Sequence, residues 1–172
     1  FTRPDCDVKI MNGVVLTQDY DNVPISLDLF SRVNCVSENT AITEAIQVDL
    51  VIATACLKYA QSNSVAFALN GCLIGLGAGQ QNRIDCIRLA GEKAKRWLIM
   101  RNPSVLEKYQ HYIRENNITD SFNEYYEYIK NVLPLKEPQL FKQVQQDNLR
   151  ENIVLSSDGF LPFSDNVEAA QQ

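Results

Sequence analysis

Three short polar stretches hold the side chains best suited to chemistry: Gln61-Ser62-Asn63-Ser64, Gly77-Ala78-Gly79-Gln80-Gln81-Asn82-Arg83 and Ser156-Ser157-Asp158. An amide such as Asn63 can hold a carbonyl or an exocyclic amine by hydrogen bonds, and a carboxylate such as Asp165 can accept from the guanidine-like edge of a heterocycle. Glycines let backbone N–H groups approach a ligand closely, and a helix starting after Asn82 would turn its positive end to the same place, beside Arg83. That combination favours an anionic or carbonyl-bearing substrate. The glycine run itself is Gly-x-Gly-x-Gly, neither the Gly-x-Gly-x-x-Gly of a dinucleotide site nor a Walker loop, since no Gly-Lys-Ser/Thr occurs. A purely structural turn is the competing reading.

These stretches need a scaffold, and the hydrophobic pattern predicts one. Thr43 is placed to cap a helix in which Ala45, Ile46, Val48, residues 50–53 and 55–57, and Ala60 are apolar around most of the circumference, so this helix is expected to be largely buried. Residues 64–69 alternate imperfectly, Asn70-Gly71 is a strong hairpin signal, and residues 72–76 are a second apolar run. They predict two antiparallel strands, followed by the glycine-rich segment 75–81 as a loop. Asn82 then caps a second long helix, in which Ile84, Ile87, Leu89, Ala90, Ala94, Trp97 and Leu98 recur at helical spacing up to Asn102-Pro103. Arg83, Arg88, Lys93, Lys95, Arg96 and Arg101 make that helix cationic in an acidic chain, which for the residues after Arg88 reads as a solvated outer face.

The remainder frames this core. Residues 1–44 are a turn-rich lead-in, with Asn12-Gly13 and Asp19-Tyr20-Asp21-Asn22 around short apolar runs at 14–16 and 25–30 that read as extended segments. Residues 104–150 predict a polar, Tyr-rich helical insertion, broken at Asn116-Asn117 and at 134–138, whose aromatic stripe reads as core packing. Residues 152–155 predict a short strand and 166–170 the start of a helix. The fold class is α/β: a layered sheet with helices packed on it (45–103 and 151–172), plus the insertion, with polar residues gathered where the strands end.

Composition narrows the function classes. The 172 residues, 45% apolar and 22% charged, fit one domain. A formal net charge of −5 argues against nucleic-acid or anionic-membrane binding. The longest uncharged apolar run, residues 50–57, lies between Asp49 and Lys58 and falls far short of the roughly 20 residues a membrane helix needs. Cys6, Cys35, Cys56, Cys72 and Cys86 form no C-x-x-C pair, so we expect no disulfide framework, no metal and a reducing cytoplasmic home, with the cysteines acting as small buried hydrophobes. His111 has no Cys, Asp or Ser at a useful local spacing and reads as a solvated helix position. The start at Phe1, with neither Met nor signal peptide, reads as a processed or excised piece.

Taken together, Lys58-Tyr-Ala-Gln-Ser-Asn-Ser-Val65, Ile74-Gly-Leu-Gly-Ala-Gly-Gln-Gln-Asn-Arg-Ile84, Leu89-Ala-Gly-Glu-Lys-Ala94 and Leu155-Ser-Ser-Asp-Gly-Phe-Leu-Pro-Phe-Ser-Asp-Asn166 resemble the AICAR transformylase family. This family forms the formyltransferase half of the bifunctional purine-synthesis enzyme that also carries IMP cyclohydrolase. The resemblance implies formyl transfer from 10-formyltetrahydrofolate to the 5-amino group of AICAR, a cytidine-deaminase-like fold and a homodimer whose sites draw on both subunits. It implies that Asn63 lies beside the transferring formyl group, that Arg83 and Phe160 bind substrate, and that Asp165 holds the folate pterin, with Arg83 also at the folate. The family's Lys-His pair, which manages protons, has no counterpart here, and neither His-x-Glu nor Pro-Cys-x-x-Cys occurs, so zinc is not expected. The chain reads as part of the second deaminase-like half, without the cyclohydrolase domain. The alternative is a non-catalytic module of the same fold that binds folate or nucleotide, or assembles subunits.

Overall fold

The computed structural model describes residues 6–31, 42–148 and 152–171. Strands β1 (Cys6–Met11) and β2 (Val14–Asp19) form a hairpin closed by Asn12-Gly13. Both turn residues have positive φ, as a two-residue hairpin turn requires. Residues 25–30 are not extended: α1 (Leu27–Ser31) takes their place. The Ser26 carbonyl accepts the Leu29 N–H at 3.1 Å, opening a helical turn directly after Pro24 and Ile25.

Helix α2 (Glu44–Lys58) begins as expected, with Thr43 Oγ1 accepting the Ile46 N–H. Its expected burial is only partly met. Asp49, Ala53 and Leu57, spaced four apart, form the one fully buried row, and Val48 is 37% exposed. The sheet covers one face of the helix, Ala45 is exposed as well, and the remaining apolar side chains are half-buried. Asp49 owes its buried place to the hairpin, because its carboxylate accepts the Asn70 N–H at 2.9 Å and the Gly71 N–H at 2.6 Å.

That hairpin joins β3 (Ser64–Leu69) to β4 (Cys72–Ala78). Asn70 and Gly71 both have positive φ, and the register shifts opposite Phe67 and Ala68, where β4 carries the extra residue Ile74; the imperfect alternation of residues 64–69 follows from burial of β3 on both faces. Strand β5 (Val154–Ser157), two residues later than expected, pairs antiparallel with the other side of β3, giving the order β4-β3-β5. All six residues of β3 are buried. Val65, Phe67 and Leu69 pack with Ile74, Cys86, Ile87, Ala90 and Ala94, the last four from α3 (Arg83–Arg101); Ala66 and Ala68 pack with Ala53, Leu57 and Val154. The result is helix on sheet on helix.

Gly75 and Gly77 lie inside β4, not in a loop. A Cβ on Gly75 would sit 2.1 Å from the Ala90 carbonyl oxygen, and one on Gly77 would sit 2.1 Å from that of Cys86. Their absent side chains let α3 lie directly on the strand, and Lys93 Nζ adds a 2.6 Å bond to the Leu76 carbonyl. Of the three glycines only Gly79, at φ +68°, belongs to the turn that follows.

The described residues of the insertion are helical apart from 116–121 and 137: α4 (Pro103–Glu115), α5 (Phe122–Glu127), a π-helical turn at Tyr128–Val132, α6 (Leu133–Lys136) and α7 (Pro138–Asn148). Asn117, with positive φ, marks the first expected break; Pro134 lies within α6 and Pro138 opens α7, so the second break is confined to Glu137. Val105, Tyr109, Ile113, Tyr128, Ile129, Leu133 and Val144 close a second core with Ile99 of α3, and Tyr109 stacks on Tyr125 at 4.4 Å. The aromatic stripe is core packing, as expected. His111 is a solvated helix position 3.1 Å from Glu115, also as expected. Helix α8 (Ser164–Gln171) returns Ala169 and Ala170 to the α3 face of the main core. Among the described cysteines, all free, Cys86 is buried, Cys6 and Cys56 are half-buried and Cys72 is exposed beside the hairpin turn, correcting its expected burial; Cys35 lies outside the described residues.

The two glycine environments make a test. Gly77→Ala should lower unfolding stability by about 1–3 kcal/mol, because the new methyl overpacks the strand–helix contact. Gly91→Ala, mid-helix with nothing within 4 Å of its Cβ, should be neutral or stabilising by up to about 1 kcal/mol. Chemical denaturation midpoints check both, and equal effects would contradict the packing role of Gly77.

Candidate functional site

The antiparallel register gathers the three polar stretches at one edge of the sheet. Ser64, where β3 begins, pairs with Ala78, where β4 ends, and Val65 pairs with Ser157, where β5 ends. Residues 61–63, 79–82 and 158–160 therefore emerge side by side.

Arg83 is their meeting point. Asn82 caps α3 by accepting the Asp85 N–H at 2.9 Å, which sets Arg83 as the first helical residue. Its guanidinium reaches back across the sheet end: Nη2 donates to Asn63 Oδ1 at 3.0 Å, and Nη1 donates to Ser157 Oγ at 3.0 Å and forms an ion pair with the Asp158 carboxylate. Both partners of that pair are mostly enclosed. Of the five guanidinium donors, Nε–H and one Nη2 hydrogen have no partner among the described residues.

Asn63 is held as firmly. Its Nδ2 donates to the Gln80 and Gln81 carbonyls at 3.1 and 3.3 Å, so both amide hydrogens are engaged and Oδ1 faces Arg83 with one lone pair to spare. The Asn63 carbonyl accepts from the Gly79 N–H at 2.9 Å and from Cys86 Sγ at 3.0 Å. Burial raises the Cys86 thiol pKa, outweighing the backbone contact at Gln80 and the Arg83 charge, so the sulfur keeps the proton it donates.

Asp158 ties the strand ends together. Its Oδ1 accepts the Ser64 N–H at 3.1 Å while its own N–H donates to the Ser64 carbonyl at 3.2 Å. Burial pushes its carboxyl pKa up, but hydrogen bonds from Ser62, Arg83 and the Ser64 amide, with the arginine charge, bring it below the usual 3.8. Gly159 leaves room beside it: a Cβ there would lie 2.8 Å from Arg83 Nη2, so the tip of the arginine would have to shift.

Of the residues singled out from sequence, Asn63 and Arg83 are joined directly. Phe160 is 83% exposed on the turn after Gly159, and Asp165 is exposed in the first turn of α8, accepting from Asn166 Nδ2 at 2.9 Å; neither belongs to the Arg83 network. Sequence reasoning placed Asp158 and Ser157 only in a polar stretch and missed their hold on Arg83. A glycine directly after a polar strand end was the available signal, since it marks a close approach.

The lowered pKa of Asp158 has a sign that can be checked. A carboxyl more acidic in the folded state stabilises the fold above pH 3.8, and that contribution is lost as pH falls through its lowered folded value. Wild type should therefore exceed Asp158→Asn in thermal midpoint near neutrality, and the difference should shrink below pH 3.8. A constant difference down to pH 2 would contradict the ion pair.

Residues 2–93 match the family described as the AICARFT/IMPCHase bienzyme. The chain is 36% identical over 94 residues to the bifunctional purine biosynthesis protein PurH of Rhodospirillum rubrum, covering 54% of this chain and 17% of that protein. It is 33% identical over 87 residues to the protein of the same description from Trichodesmium erythraeum, covering 51% and 16%. The chain thus matches about a sixth of the length of these curated relatives. The family match includes Asn63, Arg83 and Cys86, and stops short of Asp158, Phe160 and Asp165. With over half of its residues matched, including both side chains joined at the sheet edge, the chain belongs to the AICARFT/IMPCHase bienzyme family.

Proposed function

We propose that this chain supplies part of a formyl-transfer site of purine (IMP) biosynthesis, acting on AICAR with 10-formyltetrahydrofolate as formyl donor. The observation that carries this reading is the direct Asn63–Arg83 contact at the sheet edge, inside the family-matched residues. In the step, the 5-amino nitrogen attacks the formyl carbon, the bond from that carbon to N10 breaks, the amine loses a proton and N10 gains one. The free lone pair on Asn63 Oδ1 suits an N–H of the attacking amine, whereas donating to the oxyanion would first require Nδ2 to leave Gln80 or Gln81. The two unpartnered donors of Arg83 suit the folate, Asp165 its pterin, and exposed Phe160 the AICAR carboxamide. Asp158 is occupied by Arg83, so the proton acceptor comes from outside this site; the sequence holds no Lys-His pair.

The same reading places the chain in the cytoplasm, in a homodimer or paired with the rest of a transformylase, and takes its layered sheet as cytidine-deaminase-like. No metal enters the mechanism. Among the described residues no helix is long and apolar enough to cross a membrane.

Single-turnover transfer tests this reading in the natural polypeptide carrying these residues, mixed with AICAR and 10-formyltetrahydrofolate while tetrahydrofolate release is followed. Transfer is expected, and its absence would overturn the proposal. Asn63→Ala should slow transfer about 100-fold while folate affinity changes less than about threefold. Equal losses in rate and folate affinity would remove Asn63 from the reacting centre.

A further inference from the structure

We infer that Asp158 and Gly159 form a positioning device for Arg83, and that they set folate affinity without touching the folate. The inference rests on the proposed function for its ligand, and on the geometry for everything else.

A free arginine side chain samples many rotamers, and a ligand binding to it must bear the cost of ordering them. Here that ordering is done in advance. Asp158 and Ser157 hold Nη1 from the end of β5, and Asn63 holds Nη2 from the start of β3. Two anchors on different nitrogens fix the plane of the guanidinium, and the remaining Nε–H and Nη2 hydrogens are left in a set direction. The carboxylate also neutralises the arginine. Arg83 then acts as an oriented hydrogen-bond donor, not as an unpaired cation that would take any passing anion. Asp158 is itself anchored through Ser62 and both backbone bonds to Ser64, so the device is mounted on the buried central strand.

Gly159 supplies clearance. Its φ lies outside the left-handed region, so the backbone does not require glycine; what excludes a side chain is Arg83 Nη2, 2.8 Å from the position a Cβ would take. A methyl there would displace the guanidinium while leaving the Asp158 charge and the strand pairing intact.

Two substitutions in the natural polypeptide test the device. Asp158→Asn keeps an acceptor for the Ser64 N–H and removes the charge facing Arg83; Gly159→Ala keeps the charge and moves the guanidinium. Each should raise KM for 10-formyltetrahydrofolate about tenfold, with KM for AICAR changed less than about threefold. Asp158→Asn should add nothing to Arg83→Ala, because its effect passes through the arginine. An unchanged folate KM in either variant, or an undiminished Asp158→Asn effect in the Arg83→Ala background, would overturn the inference. The Nε–H resonance of Arg83 reads the same geometry without activity: a single sharp line at a dispersed shift in the unaltered protein, broadened in both variants. If the unaltered protein transfers no formyl group, the functional proposal fails and the resonance still decides the positioning role, where no change in either variant would overturn it.

Discussion

The structure depends on one constraint: β3 is buried on both faces and paired along both edges. A strand so enclosed must be apolar on both sides, must be covered by a helix above and below, and can meet solvent only at its ends. Val65 and Phe67 face α3, while Ala66 and Ala68 face α2, and the size difference has a consequence. The small residues let α2 approach closely on its Asp49-Ala53-Leu57 row, and on the other face the close approach comes from Gly75 and Gly77 of β4. Polar chemistry is thereby driven to the place where β3 begins and its two neighbours end.

The two ends of β3 are treated differently. At the hairpin end the buried carboxylate of Asp49 satisfies two backbone amides of the turn. At the other end the carboxylate of Asp158 satisfies one backbone amide, the Ser62 side chain and one arginine. The first arrangement is complete, since both of its oxygens meet N–H groups of the fold itself. The second holds a guanidinium with donors to spare. That surplus is the physical difference between an end closed on itself and one with donors still open among the described residues.

How much of this could be read from residues alone depends on the range of the interaction. Thr43 and Asn82 as caps, Asn70-Gly71 as the hairpin turn and the insertion's helices follow from local backbone preference, and all are present. Gly75 and Gly77 were misplaced in a loop because glycine reads as punctuation when its neighbours are unknown, and the helix that excludes their side chains lies 9 to 15 residues away. Residues 25–30 failed because a short apolar run fits a strand and a single helical turn equally well. The apolar circumference of α2 overstated its burial, since composition does not say which rows the sheet will cover.

The site was visible in part for the same reason. Asn63 and Arg83 stood out by residue type beside a turn, whereas their contact depends on β3 and β4 ending in register, and the Arg83–Asp158 pair joins residues 75 positions apart. Local pattern cannot reveal such a partner, but the structure makes it intelligible. An arginine at the first position of a helix points its charge toward the positive helix end, an unfavourable placement. Asp158 offsets that cost, and the sheet register places it there, so the same pairing that keeps Arg83 at the helix start also aims it. Stability and ligand geometry at this corner are therefore one arrangement: a change that frees the arginine for a ligand also returns an unpaired charge to the start of α3.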